Sequence, residues 1–239
     1  MVQKDVEIID FQRGTPDEHG NLMIRDRRLR NRTFDYLFIG GPSVAGDVIL
    51  ENVCFDGCSV VPGEFGVFSN VRLIDVEMSS LILARRLRIS SSAEFNNLTL
   101  KGTWQGAIWI GPTQVLTVNR EATDRPSRAS IALNLEKLRC ADLTVLGVPL
   151  DSISFDPSAF VGVRVLPAAR DKQWGLLEGW VDATVNYVLH FNEAEGLFSL
   201  PRDARERLSA STGLKKAESL GLIEIVERDR TGRSDDEDS

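Results

Sequence analysis

The sequence predicts a mainly β protein, a coiled sheet whose turns stack on one another, followed by a small C-terminal α-helical appendage. Between Asp47 and Gly111 short runs of alternating apolar residues recur, separated by Gly, Asn, Asp and Ser. Within and beyond that stretch the chain echoes itself. Asn52-Val53-Cys54-Phe55, Asn70-Val71-Arg72-Leu73 and Asn97-Leu98-Thr99-Leu100 share one pattern, and Lys137-Leu138-Arg139-Cys140 is a fourth copy. After Ala168 the apolar spacing changes from two to three or four, the period of a helix.

Irregular self-similarity near a 20-residue period is the mark of a stacked coil. A strand of three to five residues with one apolar face cannot bury that face alone, whereas stacked copies close a continuous interior column. On these residues, the region from about 45 to 165 resembles a right-handed parallel β-helix of the pentapeptide-repeat kind. The resemblance implies an architecture and no functional residues. A β-sandwich or jelly roll is the competing fold, because it also needs many short strands.

Taken in order, residues 4–12 read as a first strand with Val6, Ile8 and Phe11 directed inward. A turn-rich stretch with Pro16 follows. Leu22, Ile24 and Leu29 then face one side and the arginines the other, and Phe34, Tyr36 and Phe38 continue at period two up to Gly40-Gly41-Pro42. Past the repeats, residues 119–129 read as a polar loop. Strand patterns resume at 131–135, 145–148, 153–155 and 161–165, and end at Leu166-Pro167. Trp174, Leu177, Trp180, Val181, Val185 and Val188 suggest an amphipathic helix over 168–189. Ser199 is a candidate cap for a helix from Pro201. A second short helix over 213–220 stops at Gly221, and 222–226 reads as a strand. The expected organisation is a β-helix domain over 1–167, a helical cap or appendage over 168–230, and a disordered acidic tail over 231–239.

Composition limits the function. The net charge of −7 disfavours generic binding to nucleic acid or anionic membranes. No apolar run is long enough to span a bilayer and the N-terminus lacks a secretory pattern, so a cytoplasmic location is expected. Cys54, Cys58 and Cys140 are too few and too scattered for a disulfide framework. With His19 and His190 they offer no zinc spacing, so no metal or cofactor is expected. The two histidines supply no partner for a nucleophile.

Two alternatives concern other functions. Glu51, Asp56, Asp75, Glu77 and Glu94 could project from one face of a coil as the paired carboxylates of a carbohydrate-active enzyme. Residues 199–226 have the layout of a helix–turn–helix module, with Arg202, Arg205, Arg207, Lys215 and Lys216 as phosphate contacts. The leading expectation is a non-enzymatic protein-binding protein, with an immunity protein neutralising a bacterial toxin as one form of it. A homo-oligomer is compatible with that expectation. The candidate contact residues are Arg25, Arg27, Arg28 and Arg30, in a dense basic run that continues to Arg32, and the tryptophans Trp104 and Trp109.

Overall fold

The structure, a computed structural model, describes residues 16–42, 44, 46–112, 132–170 and 177–226. It is a parallel β-helix of about five turns with a C-terminal helical part. The first turn holds β1 (Leu22–Arg30), β2 (Thr33–Phe34) and β3 (Leu37–Ile39), and the second holds β4 (Val48–Asp56), β5 (Ser59–Val60) and β6 (Phe65–Val67). The third is β7 (Val71–Ser79) with β8 (Ile82–Ser90), and the fourth β9 (Glu94–Thr103) with β10 (Gln105–Gly111). The fifth is β11 (Leu133–Leu135), β12 (Leu138–Arg139) and β13 (Asp142–Leu146). A 3-10 turn at Leu150–Ser152 then leads to β14 (Ile153–Phe155) and β15 (Phe160–Val165). The remaining elements are α1 (Pro167–Arg170), α2 (Gly179–His190), β16 (Glu195–Ser199), α3 (Ala204–Ser219) and β17 (Ile223–Val226).

Two sheets result. One, here sheet A, runs β1-β4-β7-β9-β11-β14, all parallel. The other, sheet B, is parallel from the first turn to β13 and then continues antiparallel through β16, β15 and β17. The core lies between the sheets. On the sheet A side Leu29, Phe55, Met78 and Leu100 stand in register in successive turns, and so do Ile24, Leu50, Leu73 and Phe95. Phe34, Leu37, Ile39, Val60, Phe65 and Val67 close it from sheet B.

The repeat period differs from the one expected. Cys54 pairs with Glu77 and Glu77 with Thr99, offsets of 23 and 22 residues. Asn52 and Asn97 therefore hold equivalent places, with Asp75 between them. Asn70 belongs to a different corner, just before β7, although Asn-Val looks the same in both settings. The equivalent places share a backbone conformation. Asp26, Asn52, Asp75 and Asn97 all adopt positive φ within long strands of sheet A. Asn and Asp tolerate this region best among non-glycine residues, and a residue there shifts the inward–outward phase of the strand. The four alternate in charge, and each amide donates to the acid of the preceding turn, Asn52 Nδ2 to Asp26 Oδ1 at 2.7 Å and Asn97 Nδ2 to Asp75 Oδ1 at 2.8 Å. Asn52→Val removes that donor and forces a β-branched residue into left-handed backbone. The expected loss is about 2 kcal/mol of unfolding free energy, measured in urea.

The next corner uses a second alternation. Asn31, Gly57, Ser80 and Gly102 all have positive φ. A Cβ on Gly57 would lie 2.5 Å from Asn31 Oδ1, and one on Gly102 2.2 Å from Ser80 Oγ. A side chain on one turn fills the space that the next turn must leave empty.

Several local expectations are corrected. Phe34 is buried, but the alternation breaks at the exposed Tyr36, and Leu37 and Ile39 take the inward places in β3. Ser199 lies in β16, where its hydroxyl accepts from Leu143 N–H; the cap of α3 is Asp203, which accepts from Arg205 and Glu206 N–H at 2.9 and 3.0 Å. The two expected helices after Pro201 are one helix, α3, which runs through Gly213 without a break. A Cβ at Gly213 would come 2.8 Å from Val181 Cγ2, so the glycine allows α2 and α3 to pack closely and makes no turn. The helix–turn–helix layout within 199–226 is therefore absent. The stop at Gly221 is as expected: Leu222 N–H donates to Ala217 O and Gly221 N–H to Glu218 O, a Schellman pattern. Of the helix expected over 168–189, α1 and α2 form its two ends, with Leu177 buried just before α2. The strand expected at 4–12, the loop at 119–129, Trp174 and the tail at 231–239 lie outside the described residues.

The helices pack on the outer face of the antiparallel part of sheet B. Val181, Val185 and Val188 of α2 and Leu214 and Ala217 of α3 form a second core with Val161, Val163, Val165 and Phe198. Arg164 ties this end together. It binds Glu195 at 2.8 Å, Asp151 at 2.8 Å and Glu224 at 3.5 Å, and the hydrogen bond to Glu195 raises the affinity of its guanidinium for the proton.

Candidate recognition surface

The outer face of sheet A gathers the residue types the sequence singled out. Strand β1 places Arg25, Arg28 and Arg30 outward, all exposed, beside the carboxylates of β4. Arg25 Nε is 2.6 Å from Glu51, and Asp56 lies 3.3 Å from Arg28 and 3.6 Å from Arg30. Arg27 differs from these. Its register partner in β4 is Val53, which is buried, so Arg27 holds an inward place at the first rung, where it is exposed. No ion pair of Arg27 is found among the described residues.

Further along, the same face is laced from turn to turn. Arg72 bridges Asp47 at 3.2 Å and Glu94 at 3.3 Å, and Lys101 reaches Glu77 at 2.6 Å. Cys54 donates its thiol to Glu77 as well. Each candidate carboxylate thus has a partner on an adjacent turn, Glu51 with Arg25, Asp56 with Arg28, Asp75 with Asn97, Glu77 with Lys101 and Glu94 with Arg72. Exposed pairs of this type contribute about 0–1 kcal/mol each, so they add little to stability. A carboxylate pair for sugar chemistry needs one acid free to donate and one base free to accept. This lattice offers each acid a cation or an amide instead.

The two tryptophans are not surface anchors. Trp104 is 2% exposed in the core, with Nε1 donating to Lys101 O at 2.7 Å. Trp109 projects from the outer face of β10 and is half-buried under α2, with ring centroids 5.2 Å from Phe191 and 5.9 Å from Tyr187. A tryptophan at a strand end reads the same in sequence whether it meets a partner or its own helix. Here it meets its own helix.

No family model, curated protein or solved structure matches the chain.

The remaining candidates are accounted for locally. Burial pushes the Cys54 and Cys58 thiols up and Cys140 up to about 12, which keeps all three protonated and poorly nucleophilic at neutral pH. Among the described residues no group of three or more His, Cys, Asp or Glu could hold a metal ion. His19 sits in an exposed turn near Glu18, and His190 ends α2 against Phe191. Among the described residues no helix is long and apolar enough to cross a membrane. Asn70, which the repeat pattern groups with Asn52 and Asn97, has a different role. Its side chain accepts from Gly41 N–H at 3.0 Å and donates to Gly41 O and Gly46 O at 3.3 and 3.2 Å, holding the connection from the first turn to the second.

Proposed function

We propose that this chain is a protein-binding scaffold that meets its partner at the first turn of the coil. The observation that carries the reading is the concentration of arginines on β1, an edge strand paired on one side only among the described residues. A rigid coil holds them in a fixed row, which favours recognition over chemistry. The carboxylates that would serve an enzyme are occupied by neighbours. An immunity protein that masks a bacterial toxin is one binder of this kind. The likeness to the pentapeptide-repeat kind enters at the level of architecture only.

Capture of partners from the native host tests the reading. Arg25→Glu with Arg28→Glu is expected to reduce partner recovery roughly tenfold or more, because the reversal sets like charges against each other across the contact. Arg85→Glu with Arg86→Glu, exposed on sheet B, is expected to leave recovery unchanged. Equal recovery with both variants, each folded by circular dichroism, would remove the first turn from the contact.

A further inference from the structure

The backbone of β1 makes the proposed contact more specific. At its two ends Leu22 and Asn31 donate their N–H groups to Asp47 O and Asp56 O, each at 2.8 Å. Alternation from these ends, with the phase shift at Asp26, leaves the backbone groups of Met23, Arg25, Arg28 and Arg30 on the opposite edge. These are also the four outward-facing side chains, all exposed. The edge therefore offers hydrogen-bonding groups and cations from the same residues.

The fold shows how such arginines would use a second neighbour. Arg72, on β7 two strands further on, binds one carboxylate on the preceding turn and another on the following turn. Arg25, Arg28 and Arg30 have the partner on the β4 side and none on the other among the described residues. A second copy does not suit this place. Two first turns meeting head to head would set arginine against arginine. Head-to-tail stacking meets a far end where sheet B runs on through β16, β15 and β17 beyond the last rung of sheet A.

We propose that β1 takes an extended acidic segment of the partner protein, added as a further rung of sheet A. The proposal rests on the protein-binding reading above and supplies its mode, strand addition. The segment carries carboxylates beside Arg25, Arg28 and Arg30. Its apolar residues follow the phase of β1 and extend the inward row of Leu22, Ile24 and Leu29, and a further apolar side chain sits beside Met23, which is 41% exposed.

The nine-residue peptide Val-Val-Val-Glu-Asn-Val-Glu-Val-Glu, which repeats the phase of β1 with Asn opposite Asp26, is the probe, with Lys in place of Glu as control, titrated into the full chain and followed by amide NMR. The Glu peptide is expected to bind about tenfold or more tighter than the Lys peptide, to weaken with salt, and to shift the amides of Met23, Arg25, Arg28 and Arg30. Arg25→Glu with Arg28→Glu should invert the preference. Equal affinities, shifts mapped to another face, or β1 amides already protected in the free chain would overturn strand addition, the last because the chain or a second copy fills the edge. If host partners are lost with the charge reversal while the β1 amides stay unchanged, protein binding stands and strand addition falls. Host-partner recovery that ignores the reversal removes the reading beneath both.

Discussion

Asn70→Ala is expected to lower the unfolding free energy by about 3–5 kcal/mol, seen as a large fall in the urea midpoint. Asn70 is 5% exposed and makes three hydrogen bonds to the backbone of Gly41 and Gly46. Alanine leaves a buried N–H and two carbonyls without that partner, and each such group costs about 1–3 kcal/mol. Gly40 adds to the effect, since its ideal Cβ position is 2.8 Å from Asn70 Oδ1, so loop and amide are packed without spare room. Asn70→Asp keeps the acceptor for Gly41 N–H but turns an oxygen toward two carbonyl oxygens, and should be at least as harmful at neutral pH. Asn134→Ala, at a half-buried place in β11 where the side chain makes one hydrogen bond, accepting from Glu136 N–H, should cost less than about 1 kcal/mol. Because Asn70 clamps the passage from the first turn to the second, its loss should also loosen the arginine-bearing strand.

The second large effect is alkaline. Cys140 is 9% exposed, and burial raises its thiol from 9.0 to about 12. Below pH 9 both folded and unfolded chains keep the proton, and the folded state loses nothing. Between pH 9 and 12 the unfolded thiol ionises while the folded one cannot, so stability falls as pH rises. At 1.36 kcal/mol per pH unit the loss approaches about 4 kcal/mol across that window. Cys54 and Cys58 are shifted in the same direction and add to the slope. Urea unfolding under reducing conditions at pH 8 and at pH 11 should show the decline, and Cys140→Ala should flatten it although it lowers stability at pH 8. An unchanged pH slope in that variant would mean that Cys140 is open to water.

The coil was legible because its apolar residues obey two constraints at once. Val76 and Leu98 alternate along their strands and stack across turns, which no isolated strand requires. The period was harder to read. Asn serves both at the left-handed place of Asn52 and Asn97 and at the corner of Asn70, and only the backbone conformation, the register and the hydrogen bonds tell these apart. Strand β16 escaped notice for a related reason. Gly196, Leu197 and Phe198 are all buried, because one face meets the coil and the other meets the helices, so no alternation marks the strand. The arginine run stood out, but its pairing with Glu51 and Asp56 depends on a 26-residue register between Arg25 and Glu51 that local sequence does not reveal. Trp104 and Trp109 were visible as large aromatics, while the helix that covers Trp109 lies some 70 residues further along the chain, at Gly179–His190.

Amide hydrogen exchange on the free chain tests the central claim, that a locked coil presents an open, arginine-bearing first rung. The interior strands β4, β7 and β9 should exchange only through global unfolding. The amides of Met23, Arg25, Arg28 and Arg30 should exchange about a hundredfold faster or more. Uniform protection across β1, or rapid exchange within β7, would contradict the account.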